Sequence, residues 1–223
     1  DSTMLQDPTV SLNRIDLGEL SSVIPYMPNL TGKLNGDYHI LMDQNEHISV
    51  ASDMGVLDMT YEGAHIGNLS SEFVYLQNEN NAHTIEARLL LDDEEFGLLS
   101  GTYLKEGGLI DATFDMTRMP LSLVNGFVPD QLFGLDGYAE GSMTIRGTTA
   151  HPDINCELYV DSAHFVSIPY GIRMRLDSDP VRIVGSKLLL ENFGLYPYND
   201  EPLNMMGSID FSSTDKIMTD LRL

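Results

Sequence analysis

The side chains best suited to metal binding or nucleophilic catalysis are the histidines and the single cysteine. The six histidines lie at positions 39, 47, 65, 83, 151 and 164. No two are four residues apart and no His-Glu-x-x-His motif occurs, so the spacing of a zinc hydrolase is absent. Cys156 lies in an alternating stretch, which predicts a small buried apolar residue, and a single cysteine excludes an internal disulfide. The sequence therefore predicts no metal site.

Carboxylates are abundant, but their spacing does not define a site. Asp92-Asp-Glu-Glu95 and Asp43-Gln-Asn-Glu46 are acidic clusters, and neither has the central glycine and closing glutamate of a calcium loop. Both are typical of solvated loops. A glycosidase would need two carboxylates that converge across a cleft and aromatic stacking platforms, and the chain has no Trp. We therefore disfavour carbohydrate hydrolysis.

One possible nucleophile has a suggestive neighbour. Ser213-Thr-Asp-Lys216 has the Ser-x-x-Lys spacing of some acyl-transfer enzymes, but the companion motifs of those enzymes are absent. The sequence also lacks a Gly-x-Ser-x-Gly elbow, a P-loop and a dinucleotide fingerprint. We predict that the protein is not an enzyme and requires no cofactor.

Net charge excludes another class of function. The 12 basic and 34 acidic residues give a formal charge of −22, which predicts no nucleic-acid partner, since such binding depends on clustered Lys and Arg. No stretch approaches the roughly 18 consecutive apolar residues of a membrane span. We expect any membrane anchor or signal to lie outside this sequence, and we interpret the chain as a fragment because residues 218–223 still alternate at its end.

The elements that position these side chains are strands. In residues 110–117 apolar side chains alternate with Asp and Thr, so one face of the strand is dry and the other wet. The same period of two recurs in stretches that start at Ile85, Met143, Ile154, Ile172 and Val181. This pattern predicts an all-β fold: an elongated, curled, mostly antiparallel sheet, groove-like, with an apolar concave interior.

Turn signals separate the strand patterns, and two stretches have helical spacing. The turn signals are Asn35-Gly36-Asp37, Gly107-Gly108, residues 177–180 and residues 199–202. Apolar residues recur at helical intervals in residues 20–28 and 121–129, and each stretch ends at a proline. We expect two short helices there.

Each predicted helix precedes a Gly-x-x-x-Gly-x-x-x-Ile segment, at residues 32–40 and 137–145, which are 105 positions apart. We interpret this similarity as an internal duplication, in which the strand glycines mark a bend or bulge. The predicted repeats are residues 1–118 and 119–223, within one continuous β structure.

The second repeat carries a family resemblance. The run Met119-Pro-Leu-Ser-Leu-Val is followed by a Gly-x-x-x-Gly strand, by Gly147-Thr148 with Pro152, and by a closing Gly-Ser-Ile at residues 207–209. This order of motifs resembles the C-terminal part of the TamB family, the translocation and assembly module subunit of Gram-negative bacteria. Cys156 stands where that family usually has glycine. The resemblance covers residues 115–211, and residues 15–76 through the internal repeat.

The resemblance implies a periplasmic segment of a protein that is anchored in the inner membrane outside this sequence. Such proteins transport phospholipid between the inner and outer membranes along a hydrophobic β groove, or help outer-membrane proteins assemble together with a β-barrel partner. The family has no catalytic residues to transfer. Pairing of an exposed strand edge with an incoming strand is the alternative function for this chain.

Strand alternation also nominates the side chains of a groove. They are Phe114, Met116, Ile145, Leu158, Ile172, Met174 and Ile183. The 12 methionines suit a flexible apolar lining. The same residues could instead fill the closed core of a sandwich, and the sequence leaves both interpretations open.

Overall fold

The computed structural model describes residues 8–23, 29–78, 80–127, 133–197, 201–212 and 218–222. The chain forms two compact units, residues 1–106 and residues 107–223. The boundary predicted between the repeats, after residue 118, lies near the end of a strand that belongs to the second unit.

The first unit is an antiparallel meander, in which each strand pairs with the next along the chain. Its strands are β1 (Thr9–Asp16), β2 (Leu30–Met42), β3 (Ile48–Tyr61), β4 (Ala64–Gln77), β5 (Ala82–Leu91) and β6 (Glu94–Leu104). Two-residue turns join β3 to β4 and β5 to β6, and their residues have positive φ as such hairpins require. Asp92 and Asp93 form the second of these turns, so this acidic cluster begins as an exposed loop.

The second unit contains eight strands among its described residues. They are β7 (Leu109–Pro120), β8 (Phe133–Thr148), β9 (Pro152–Ser167), β10 (Ile172–Leu176), β11 (Val181–Val184), β12 (Lys187–Tyr196), β13 (Leu203–Asp210) and β14 (Met218–Arg222). One edge of the long strand β9 pairs with β8, and its other edge pairs with both β11 and β10. Strand β12 in turn pairs with β11, β10 and β13, and β13 pairs with β14.

Every described pairing in either unit is antiparallel, so the predicted all-β, antiparallel class is confirmed. The expected alternation is visible in β7, where Ile110, Phe114 and Met116 are partly or fully buried while Asp111 and Asp115 are exposed. The sheet therefore has one apolar and one solvated face, as the period of two predicts.

Helices are short. Helix α1 (Leu17–Val23) begins three residues before the predicted stretch, because the Asp16 carboxylate caps its first turn and accepts hydrogen bonds from the backbone N–H groups of Gly18 and Glu19. Residues 24–28 lie outside the described residues. The second predicted stretch contains a 3₁₀ helix, Leu121–Phe127, while residues 128–129 are not described. A further 3₁₀ turn spans Glu106–Gly108.

One turn prediction is wrong. Asn35-Gly36-Asp37 lies inside β2, where all three residues pair with β3. Gly36 is needed there for close packing and not for a turn, since a Cβ at this position would lie 2.9 Å from Met54 Cβ. Asn35 has a local role as well, because its side chain accepts a hydrogen bond from the backbone N–H of Arg14 at an irregularity in β1.

The strand register is similar in the two units at the segments interpreted as repeats. In the first unit β1 pairs Leu12 with Gly36 and, after a bulge, Ile15 with Leu34. In the second unit β7 pairs Met116 with Gly141 and, after a bulge, Met119 with Ala139. The helix-starting residues correspond too, since Leu17 and Leu121 follow the last residue of β1 and β7 and each is 6% exposed. The two units therefore share a strand–helix–strand–strand frame.

Glycine fixes this frame at two equivalent bulges. Gly32 and Gly137 have φ of 130° and 99°, and both lie where the register shifts between the paired long strands. A Cβ on Gly137 would lie 2.6 Å from the Ser162 carbonyl oxygen, and one on Gly32 would lie 2.8 Å from the Leu57 carbonyl oxygen. The expectation that these glycines mark bulges is confirmed.

Few apolar side chains are fully enclosed. Within the described residues 13 apolar residues are buried, whereas 42% of the whole chain is hydrophobic. One buried cluster, in the second unit, joins Leu121 of the 3₁₀ helix to Ala139 and Ala163 on the sheet. Most other apolar side chains on the sheet stay partly exposed, which leaves apolar surface free for another molecule.

Candidate apolar binding site

An open apolar trough crosses five strands of the first unit and has a volume of about 450 Å³. This volume lies within the range of small-molecule sites. The trough is lined by eight side chains: Val10, Leu12, Tyr38, Ile40, Val50, Phe73, Tyr75 and Ile85. We use "the trough" for this set of residues below.

Strand register brings these side chains together, because directly paired residues share a face of the sheet. One row joins Val10 to Tyr38, then passes through Ser52 to Phe73. A neighbouring row joins Ile40, Val50, Tyr75 and Ile85. Each row crosses the strands, so the trough runs across the sheet from β1 to β5, a distance of about 19 Å for four inter-strand spacings.

Small residues make room in the middle of the trough, and the Tyr38 hydroxyl is held in a contact within it. Ser52 and Ala87, next to Phe73 in its row, are buried and fill little space. Tyr38 contacts Phe73 edge-on with ring centroids 6.4 Å apart, and its hydroxyl donates to Met54 Sδ at 3.5 Å. With the phenol group engaged in this way, the Tyr38 ring presents hydrocarbon to the trough.

The opposite face of the same strands is acidic. Asp37, Asp53 and Glu72 are paired directly across β2, β3 and β4, and Glu72 is paired with Arg88. Arg88 forms ion pairs with Glu72 at 3.4 Å and with Glu95, and these carboxylates raise its pKa. The contrast between the faces keeps the acidic face in water and leaves the trough as the surface that favours hydrocarbon.

The seven groove residues that alternation nominates lie in the second unit and share one face there. Phe114 pairs with Met143, which pairs with Cys156 and then with Ile183. Through equivalent pairings the remaining residues occupy the same face: Met116, Ile145, Leu158, Ile172 and Met174. Their exposure differs, since Met116 is 5% exposed and Ile172 is 40% exposed. Their role in binding stays a prediction.

Packing of the 3₁₀ helix covers part of this face. Leu121 contacts Ala139 and Ala163, and Leu135 and Val160 pack against the same cluster. Asn125 holds the helix in place, because its side-chain amide donates to the Leu135 carbonyl at 3.0 Å and accepts from the Leu135 N–H at 2.7 Å. These two bonds imitate the pairing of a strand, so the Leu135 backbone is satisfied on this side while β8 pairs with β9 on the other.

Residues with potential for catalysis are held in structural contacts. Cys156 is buried between Met143 and Ile183, and burial raises the pKa of its thiol to about 11, which opposes formation of a thiolate at neutral pH. In Glu157 the hydroxyl of Tyr159 and the Arg182 guanidinium lower the carboxyl pKa. Among the described residues no group of three His, Cys, Asp or Glu side chains could hold a metal ion. Ser213 and Lys216 lie outside the described residues.

None of the trough residues is among the seven nominated from the sequence. The signal that could have found them is the same period of two, in Val10 and Leu12, in Tyr38 and Ile40, and in Phe73 and Tyr75. Alternation identifies the apolar face of each strand, but only the register shows which parts of the face lie side by side.

Comparisons with known proteins give no assignment, since the sequence matches no family model, no curated protein and no solved structure. The described helices, none longer than seven residues, are too short to span a membrane.

Proposed function

We propose that this chain is a non-enzymatic segment of a TamB-like protein that binds the acyl chains of phospholipids on the apolar face of its antiparallel sheet. The trough carries this proposal, because it is an open surface lined by apolar and aromatic side chains. In this proposal the protein is periplasmic, an inner-membrane anchor lies outside this sequence, and the bound lipid is passed between the two membranes. The sequence resemblance supports these further steps.

Hydrocarbon burial supplies the binding energy. Each buried methylene contributes about 0.8 kcal/mol. Eight methylenes would contribute roughly 6 kcal/mol before the cost of association is subtracted. A strand-spanning row of about 19 Å is longer than an extended chain of eight methylenes. A longer acyl chain that uses more of the trough therefore offsets more of the association cost.

The test is recovery of lipid with the purified chain. We expect native mass spectrometry and solvent extraction to find phospholipid bound to the wild type, and Ile85→Glu to lose it, because a carboxylate in the trough is desolvated by a bound acyl chain. The matched control is Leu98→Glu. Leu98 is 48% exposed on the neighbouring strand β6, on the acidic face and paired with Arg88, whereas Ile85 is 37% exposed.

Two outcomes would contradict the proposal. If the wild-type chain neither carries lipid nor takes it up from vesicles, the trough does not bind lipid. Equal lipid recovery from Ile85→Glu and Leu98→Glu, with both variants folded by circular dichroism, would place any lipid away from the trough.

Strand-edge pairing with an outer-membrane β-barrel partner is the second candidate function. It is favoured by β14, whose described residues are all exposed and which pairs with β13. Replacing the backbone donor at Thr219 with Thr219→Pro would weaken addition of a strand to β14 without altering the trough. Loss of assembly activity in that variant, with lipid binding retained, would favour this second function.

A further inference from the structure

Polar groups lie together at one end of the trough, in a cluster of Tyr75, His83 and Tyr103. The Tyr75 hydroxyl lies 2.6 Å from His83 Nδ1, and the two rings stack with centroids 5.9 Å apart. The Tyr103 ring also lies next to His83, with the two ring centroids 6.1 Å apart. The cluster is therefore a fixed group of aromatic and imidazole rings.

Register places this cluster on the trough face. His83 precedes Ile85 by two residues on β5, so both side chains point to the same side of the sheet. Tyr103 is paired directly with His83 on β6, one strand beyond Ile85. Tyr75 belongs to both the trough and the cluster. The trough thus has apolar residues at its β1 end and polar groups at its β5–β6 end.

The hydrogen-bonding capacity of the cluster is only partly used. The Tyr75 hydroxyl engages Nδ1 of His83, whereas Nε2 makes no hydrogen bond with the described residues. In the tautomer whose Nδ1 accepts from Tyr75, Nε2 carries a proton and is a donor. The Tyr103 hydroxyl is likewise free of a described partner, and this side chain is 37% exposed. Both groups can donate to a ligand.

A cation lies at the same end. Lys105 directly follows β6, two residues after Tyr103, and it is exposed. It forms no ion pair with any residue that the structure describes, although the chain carries a formal charge of −22. An ammonium group two residues along the chain from Tyr103 complements the two hydrogen-bond donors, because the oxygen atoms of a phosphate only accept.

We propose that His83, Tyr103 and Lys105 bind the phosphate of a phospholipid head group, while the acyl chain lies along the trough toward β1. This inference rests on the proposed function and adds to it a head-group site and a direction of binding. A zwitterionic head group fits best, because the net charge of the chain opposes a lipid that carries net negative charge.

The test separates head from tail with two detergents that share one alkyl chain, decyl phosphocholine and decyl maltoside, both below their micellar concentrations. Calorimetric titration of the full chain is expected to show about 10-fold tighter binding of the phosphocholine, the effect of one or two hydrogen bonds to a charged group. Tyr103→Phe, which removes only the hydroxyl group, and Lys105→Gln are each expected to reduce phosphocholine affinity by about 5- to 10-fold and to leave maltoside affinity unchanged.

The control is Tyr159→Phe, which removes a hydroxyl in the other unit and is expected to change neither affinity. Equal affinities for the two detergents in the wild type, both lost in Ile85→Glu, would overturn the head-group site and leave the acyl trough standing. Failure of both detergents to bind would overturn the trough as well. Inorganic phosphate that binds as tightly as decyl phosphocholine, and does so in Ile85→Glu, would make the cluster a site for the free ion.

Discussion

A single methyl group at Gly137 tests whether the shared frame depends on its glycines. The residue has φ of 99°, a conformation that costs an L-amino acid about 1–3 kcal/mol. A Cβ would also lie 2.6 Å from both the Ala163 Cα and the Ser162 carbonyl oxygen. These neighbours are backbone atoms of β9, so they cannot rotate away, and forcing them apart costs about 1–3 kcal/mol more. We expect Gly137→Ala to lower the free energy of unfolding by about 4 kcal/mol.

Two other glycines calibrate this value. Gly134, on the same strand, would place a Cβ 3.6 Å from Asn125 Nδ2, an ordinary contact, so Gly134→Ala should be neutral or stabilise by up to about 1 kcal/mol. Gly32, equivalent to Gly137, would place a Cβ 2.6 Å from Val56 Cγ1 and 2.8 Å from the Leu57 carbonyl oxygen. Val56 is buried and β-branched, so Gly32→Ala should destabilise the first unit by an amount similar to that of Gly137→Ala in the second.

Urea unfolding followed by far-UV circular dichroism measures these differences, and tyrosine fluorescence serves as a second probe since the chain has no Trp. A destabilisation of 4 kcal/mol is a large part of the 5–15 kcal/mol of a typical domain, so the effect will be clear. If Gly137→Ala and Gly134→Ala unfold within about 1 kcal/mol of each other, the bulge tolerates a side chain and the steric argument is wrong.

Two further substitutions give separate tests. Ser52 Oγ is buried without a hydrogen-bond partner among the described residues, so Ser52→Ala should stabilise the chain by about 1 kcal/mol, and a lower melting temperature would contradict this. Hydrogen bonds from the Ser212 hydroxyl and backbone, with Lys187 nearby, lower the Asp210 pKa from 3.8 to about 2. Because the folded value lies below the unfolded one, the stabilisation is present above pH 3.8 and is lost as the pH falls through 2. Urea midpoints between pH 2 and pH 5 should therefore depend less on pH in Asp210→Asn than in the wild type, and parallel curves would refute the assignment.

The all-β class and the apolar face of each strand were predictable from local pattern, because a period of two is read from neighbouring residues alone. All seven nominated residues share one face of the second unit for this reason. The misplaced turn at Asn35-Gly36-Asp37 shows the limit of the same local logic. The tripeptide has the composition of a hairpin turn, yet Gly36 lies in a long strand because Met54 on the paired strand leaves no room for a side chain. Close packing by a partner 18 residues away has no local signal.

The location of the trough could not be predicted from the sequence for a related reason. Whether an apolar face is open depends on what packs over it, and in the second unit Leu121 covers Ala139 and Ala163. The helix was predicted there from its spacing, but its contact with two alanines on β8 and β9 follows from the register. In the first unit the concavity forms where Ser52 and Ala87 lie next to Phe73, a row drawn from three strands.

The shared frame does not give the two units the same surface. Gly32 and Gly137, and the helix-starting leucines Leu17 and Leu121, hold equivalent places in both units. At the positions of Ala139 and Ala163, however, the first unit has Leu34 and Met59, so the surface beneath the helix is not the same. A glycine with positive φ and one buried leucine fix the backbone path in each unit, whereas the side chains in the rows across the sheet differ between the units. Substitutions at the glycines should therefore act on the stability of one unit, and substitutions in the rows, such as Ile85→Glu, should act on binding.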